Sequence, residues 1–224
     1  MISVVVPTMW RYEPFPEFVS YIVKLDVVKE VIIINNDYAR TPNNSLWSNS
    51  KIKIYSFGRN IYVNPAWNFG IDTSTEDRVC IMNDDITFDL KLFYKVDEFL
   101  TDGMGSLGLN SNLPDPNLTP TSNGSIVFDP YVGQRCFGWG NLMFIHKKHW
   151  RPIPSDLNIW YGDNYIFDYY FFNGYTNYFI SNLFHFHDPA KTSASVIIER
   201  REEIIAEEHA KYQQIKQKLM SRTY

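Results

Sequence analysis

The sequence predicts an α/β fold: a mostly parallel central sheet flanked by helices, with a long C-terminal helix. Three observations carry this. Short, nearly continuous apolar runs (Ile2-Ser-Val-Val-Val-Pro7, Val31-Ile-Ile-Ile34, Arg78-Val-Cys-Ile-Met82) have the length and composition of strands buried on both faces. Segments with helical spacing alternate with them, which implies parallel neighbours joined by right-handed crossovers. Each run also stops at a polar cluster: Pro7-Thr8-Met9-Trp10-Arg11, Asn35-Asn36-Asp37 and Asn83-Asp84-Asp85.

Taken in order, the first strand is Ile2–Pro7. Phe15 to Val28 places Phe18, Ile22 and Leu25 at helical spacing, with Pro14 and Pro16 at its start. Val31–Ile34 is the second strand, and the alternating Lys51–Tyr55 is a third, near an edge. Pro65–Ile71 suggests a short helix with proline in its first turn. Arg78–Met82 is the fourth strand. Asp102–Gly133, rich in Gly, Pro, Asn, Asp, Ser and Thr, reads as one long loop, a length usually reserved for function or mobility. After Gly138 an aromatic-rich segment containing the apolar LMFIH is expected to lay further strands and helices over one end of the sheet. Ser195–Arg222 reads as a terminal helix with an interrupted stripe (Ile197, Ile198, Ile204, Ile205, Tyr212, Ile215, Leu219). Acidic residues fill its first half and basic residues its second, complementing the helix dipole. It either docks on the domain or pairs two copies into a homodimer.

Composition bounds the function. With 224 residues, 45% hydrophobic, the chain is long enough for one large core. A net charge of −4 gives no global field to recruit nucleic acid. Two cysteines, Cys80 and Cys136, make no disulfide framework and fit a reducing compartment. The opening MISVVVPTMWRYEP has no basic n-region or long apolar h-region, so no secretory leader is expected. The most lipid-like stretch, Tyr165–Phe184, is broken by Asp168, Asn173, Asn177, Ser181 and Asn182, so no membrane span is expected. These readings together point to the cytoplasm.

Parallel sheets bind ligands beyond the carboxyl ends of their strands. Three polar clusters on one such edge therefore mark a site, with Asn83-Asp84-Asp85 the sharpest. Adjacent carboxylates repel unless water or a cation separates them, and hard oxygen ligands suit Mg²⁺ or Mn²⁺. The bland alternative is a turn or cap before Ile86.

The ordered set VVVPT, VIIINND, NPAWNFG and IMNDDI resembles family-2-type glycosyltransferases of the GT-A, Rossmann-like nucleotide-binding fold, including compact viral or phage members. By that resemblance Pro7, Thr8 and Arg11 line the nucleotide pocket and Asn36 or Asp37 reads the base. Asn64 and Asn68 lie in the family's Asn-rich stretch. Asn83 stands where the metal-binding Asp-x-Asp motif would begin, leaving Asp84 against the donor and Asp85 as the metal ligand. Further on, Gly138-Trp139-Gly140 and Trp160-Tyr161-Gly162-Asp163 match the acceptor half, with Trp139, Gly140, Trp160 and Tyr161 against the sugar or acceptor and Asp163 as general base. His185-Phe-His187-Asp-Pro-Ala-Lys191 resembles the segment whose His completes the metal site and whose neighbours touch the diphosphate.

The resemblance implies residues 1–194 as a catalytic domain, with a nucleotide half over about 1–100 and an acceptor half over about 101–194, followed by the helix 195–224. It implies transfer of a sugar from a nucleotide-diphosphate donor to a hydroxyl, assisted by Mn²⁺ or Mg²⁺. Asp163 is an available base and no side chain stands out as a nucleophile, so inversion is favoured. The acceptor ranks as a glycan or glycoprotein first and a hydroxymethylated DNA base second. Nucleotidyl transfer and a non-catalytic glycan-binding module on the same fold are the alternatives.

Overall fold

The computed structural model describes residues 1–40, 45–109, 125–133, 138–188 and 200–221. Four parallel strands build the first half: β1 (Ile2–Thr8), β2 (Val28–Asn35), β3 (Ile52–Ser56) and β4 (Arg78–Met82). They lie in the order β3-β2-β1-β4, with β3 at the edge as its alternation implies. The unbroken apolar runs serve both faces. On β1, Val4 and Val6 join one core cluster while Val5 joins the other, and β2 and β4 divide their side chains in the same way.

One face is covered by α1 (Phe15–Ile22) and α3 (Lys91–Phe99), through Phe18, Val19, Ile22, Leu92, Phe93 and Val96. The other is covered by α2 (Val63–Thr73), α4 (Gly162–Phe172) and α5 (Arg201–Met220), through Trp67, Ile71, Ile166, Tyr170, Tyr212 and Leu219.

Two sequence expectations need correction. The first helix ends at Ile22 rather than Val28, because the β-branched Val27-Val28 pair is already feeding β2 and Val28 pairs with Ile2. The segment 102–133 is not one loop: it supplies β6 (Leu107–Leu109) and β7 (Val127–Pro130), each too short to show a period. The sheet is mostly parallel, as expected, but not throughout. LMFIH becomes β8 (Leu142–His146), which lies within the sheet, antiparallel to both β4 and β6. β9 (Tyr178–Ser181) then runs parallel to β6 and antiparallel to β7.

The antiparallel insertion brings a second part of the chain to the carboxyl edge of the parallel strands. Met82, the last residue of β4, pairs with Leu142, the first of β8. Residues just before β8 are therefore carried to the edge where β1, β2 and β4 end. A separate two-stranded sheet joins β5 (Ile86–Phe88) to β10 (His185–His187), with His187 opposite Ile86. No helix among the described residues is long and apolar enough to cross a membrane.

Candidate active site

The carboxyl ends of β1, β2 and β4 open into a cleft of about 410 Å³. Of the residues singled out from sequence, the lining includes Pro7, Thr8, Asn36, Asn83, Asp84, Asp85, Gly140, Trp160, Tyr161, Asp163 and His187. They come from separate segments of the chain, which only the fold brings together.

The acidic wall is organised from below. Thr8 Oγ1 donates to Asp84 Oδ2 at 2.6 Å and accepts from the Trp10 amide at 2.8 Å, so the end of β1 fixes the carboxylate that follows β4. Asp85 Oδ1 faces His187 Nε2 at 3.3 Å. The β5–β10 pairing sets this distance, and the Asp188 amide also donates to the Asp85 carbonyl at 3.0 Å. The local field is negative: the Tyr12 hydroxyl is pushed up by burial and then by Asp188 and Asp85.

Asn141, which the sequence reading missed, ties the wall together. Its amide nitrogen lies 3.4 Å from His187 Nδ1, while its Oδ1 accepts from Asn83 Nδ2 at 3.3 Å and its carbonyl from the Asn83 amide at 3.0 Å. Asn83 therefore spends its amide groups on the β4–β8 junction. The departure from an Asp-x-Asp pattern has this structural use.

Across the cleft, Asp163 lies in the first turn of α4, where Tyr161 takes the cap position without a side-chain bond. The Asp163 carboxylate accepts from the Gly140 amide at 3.2 Å. A side chain on Gly140 would reach within 3.0 Å of Asp163, so the glycine permits this approach. Desolvation raises the Asp163 pKa above the ordinary carboxylate value, against the lowering pull of the Asn164 and Gly140 amides.

Backbone strain gathers at the same place. Trp10 (φ 58°), Tyr62 (φ 67°) and Tyr161 (φ 62°) all adopt left-handed conformations beside or on the lining. Such conformations persist where surrounding structure over-determines them, and they cluster at functional sites.

Several expected site residues have other work. Asn36 lines the cleft, but its side chain holds the Ile61 amide and the Tyr62 carbonyl, shaping the segment that carries Asn60 and Tyr62 into the lining. Asp37 pairs with Arg40 at 3.3 Å, and neither Asp37 nor Arg11 is on the lining. Asn68 exchanges two hydrogen bonds with the Ile153 backbone. Asn64 is fully buried, donating to the Trp160 carbonyl and supporting Gly162. Lys191 lies outside the described residues.

Trp139 is a correction. It is 3% exposed, packed edge-on against Phe167 and Phe179, and cannot offer a face to a sugar. A Cβ on Gly108 would fall 2.2 Å from its indole. Gly108→Ala is expected to cost about 1–3 kcal/mol by overpacking, read as a lower midpoint in urea denaturation.

Arg201 is a further lining residue not foreseen, and among the described lining residues it alone carries a fixed positive charge. Its guanidinium sits 5.4 Å from the Trp160 ring centre. The polar pattern of α5 gave no sign that its first residue would reach the cleft.

No family model matches the sequence, and no curated protein matches it. Among solved structures 265 chains match. One is Staphylococcus aureus TarS 1–349, a GT-A-like glycosyltransferase, at 14% identity and a TM-score of 0.55. The match covers 80% of this chain and 58% of the TarS chain, so the present chain spans little more than half of that neighbour. At this identity the likeness is one of fold alone: a Rossmann-like α/β sheet of the GT-A kind.

Proposed function

We propose that the chain is a glycosyltransferase that moves a sugar from a nucleotide-diphosphate donor to an acceptor hydroxyl, with inversion. The observation that carries this is one cleft with two chemically opposite walls. Asp85 and His187, 3.3 Å apart, form a side that could hold a cation, and Asp163, whose carboxyl is made more basic by burial, faces the same space.

The donor set suits Mn²⁺ or Mg²⁺. Asp85 and His187 are close enough to share an ion, and the negative field at Tyr12 fits a place for positive charge. Among the described residues no cluster of three metal-ligating side chains occurs. Magnesium-type sites take one or two carboxylates and complete their shell with water and substrate phosphates, so this set matches a diphosphate-bound ion. When bound, the ion would neutralise charge on the departing diphosphate.

The chain's own residues do the rest. Thr8 and Asn141 hold the acidic wall in place, and Arg201 offers a guanidinium to an anionic part of the ligand. Trp160 and Tyr161 supply ring faces for a sugar. Asp163 accepts the proton of the attacking hydroxyl, and a raised pKa brings a carboxylate closer to the basicity that step needs. That feature favours catalysis over plain glycan binding. A glycan or glycoprotein acceptor is preferred over a modified DNA base, since the described lining holds three carboxylates and one fixed cation.

The test is Asp85→Ala with and without Mn²⁺. The variant should stay folded and lose metal-dependent donor affinity by roughly 10-fold or more, read by calorimetric titration with nucleoside diphosphates and their sugars. Equal affinity in both proteins, insensitive to Mn²⁺, would remove Asp85 from the site.

A further inference from the structure

The Glu208 carboxylate is nearly inaccessible, at 3% exposure, although it lies on α5, a helix whose residues are mostly exposed. No cation among the described residues is paired with it. Instead it accepts from three successive backbone amides: Asn158 at 3.0 Å, Ile159 at 3.2–3.3 Å and Trp160 at 2.7 Å. Three adjacent N–H groups converging on one carboxylate form an anion-binding nest whose anion is a side chain from 48 residues further on.

The segment so held is a wall of the cleft, since Ile159 and Trp160 both line it and Asp163 follows three residues later. The opposite side of that segment is fixed as well: the Asn158 carbonyl accepts from the Asn64 amide, and the Trp160 carbonyl from the Asn64 side chain. Residues 158–160 have no helix or strand of their own. The wall thus takes its shape from two donor–acceptor clamps, one on α2 and one on α5.

The rest of α5 supports this clamp. Tyr212 stacks on Tyr161 with ring centres 5.1 Å apart, its hydroxyl donates to Asp168, and Lys216 reaches Asp168 at 3.0 Å. The same helix carries Arg201 over Trp160.

We infer that α5 is a working part of the cleft and that Glu208 is a positioning residue, setting the Asn158–Trp160 backbone so that Trp160 and Asp163 meet the ligand in one geometry. The inference rests on the glycosyltransferase reading for the identity of the ligand, but not for the clamp itself. Carboxylate charge is essential to it. Glutamine keeps the length of the side chain but presents an NH₂ group to donors, so Glu208→Gln should be only a partial substitute.

Two measurements on the full chain decide it. In the ligand-free protein, Glu208→Ala should speed amide hydrogen exchange at 158–160 by roughly 100-fold, with β1, β2 and β4 unchanged and Glu208→Gln intermediate. Unaltered protection at those three amides overturns the clamp, whatever the protein's reaction. In the second, UDP- and GDP-sugars with Mn²⁺ are titrated and turned over. Glu208→Ala should lower kcat/KM by roughly 10-fold or more, with the Gln variant between. Faster exchange at 158–160 with wild-type binding and turnover would leave α5 a structural helix and overturn its role in the site. A wild-type protein that binds no sugar nucleotide would instead sink the proposed function, and the exchange result would still decide the clamp.

Discussion

Asp163→Asn is expected to depress sugar transfer by roughly 10²- to 10⁴-fold while leaving donor affinity unchanged. The asparagine keeps the Gly140 hydrogen bond, since its carbonyl oxygen can accept where Asp163 Oδ2 does now. What it loses is the ability to take a proton. The pH dependence follows from the direction of the shift. Desolvation raises the folded-state pKa of Asp163, so its proton leaves at higher pH than in an exposed carboxyl. Activity should therefore fall on the acid side with an apparent pKa above the ordinary carboxylate value, and the limb should vanish in the variant's residual rate. The same shift has a stability sign. A carboxyl whose folded pKa is raised is disfavoured as the anion in the native state, so it costs stability at neutral pH and less as pH falls. Asp163→Asn should consequently be no less stable than wild type at pH 7, a pattern expected of a group held for chemistry rather than folding. A normal rate in the variant would put the base elsewhere.

Glu30→Ala is expected to cost about 3 kcal/mol of folding stability with no direct effect on the cleft. Glu30 lies near the start of β2, away from the strand ends that form the site, and is 3% exposed. It accepts from Ser3 Oγ, from the Thr75 amide and hydroxyl, and from Lys53 Nζ at 2.6 Å. It thereby joins β1, β3 and the turn before β4. Burial alone would raise its pKa, but the Lys53 ammonium and the Thr75 and Ser3 donors outweigh that and hold it at about 2, below the 4.5 of a free side chain. The figure for the variant is kept near the low end for a broken ion pair because Lys53 is 41% exposed and screened by water. For a depressed carboxyl the contribution is present above the unfolded pKa and lost as pH falls through the folded one. The gap between wild type and variant should be constant above about pH 4.5 and close progressively towards pH 2, followed by urea midpoints across that range. A gap independent of pH would show that Glu30 acts by packing alone.

Much of the site was legible because its chemistry sits at strand ends. A short apolar run followed at once by Asn83-Asp84-Asp85 can be read locally, and so can Pro7-Thr8 at the end of β1. The period of two places His185 and His187 on one side of their strand, and only the structure gives them different partners: His187 faces Asp85, while His185 turns to the Leu183 carbonyl. Asn141 was not legible, because a lone asparagine before a strand looks like any turn residue. Its position follows from β8 entering the sheet antiparallel to β4, and no period in LMFIH reveals which way a buried strand runs. Trp139 erred in the other direction. The resemblance set it against the sugar or acceptor, but Gly108 on a different strand leaves the space its indole fills.

Local sequence was enough to specify the parallel half of the sheet, the edge that carries the site, and the acidic wall after β4. Those properties reside in runs of a few residues, whose hydrophobicity and turn chemistry act locally. Tertiary packing alone settled that β6, β7 and β8 complete the sheet, that Trp139 is core, and that α5 reaches the cleft through Arg201 and Glu208. These depend on contacts between residues far apart in the chain, such as Glu208 with the amides of 158–160. A buried carboxylate on a largely exposed helix looks, in sequence, like any other glutamate of a solvated face. Its partners are main-chain N–H groups, which every non-proline residue has, so no side-chain pattern announces them.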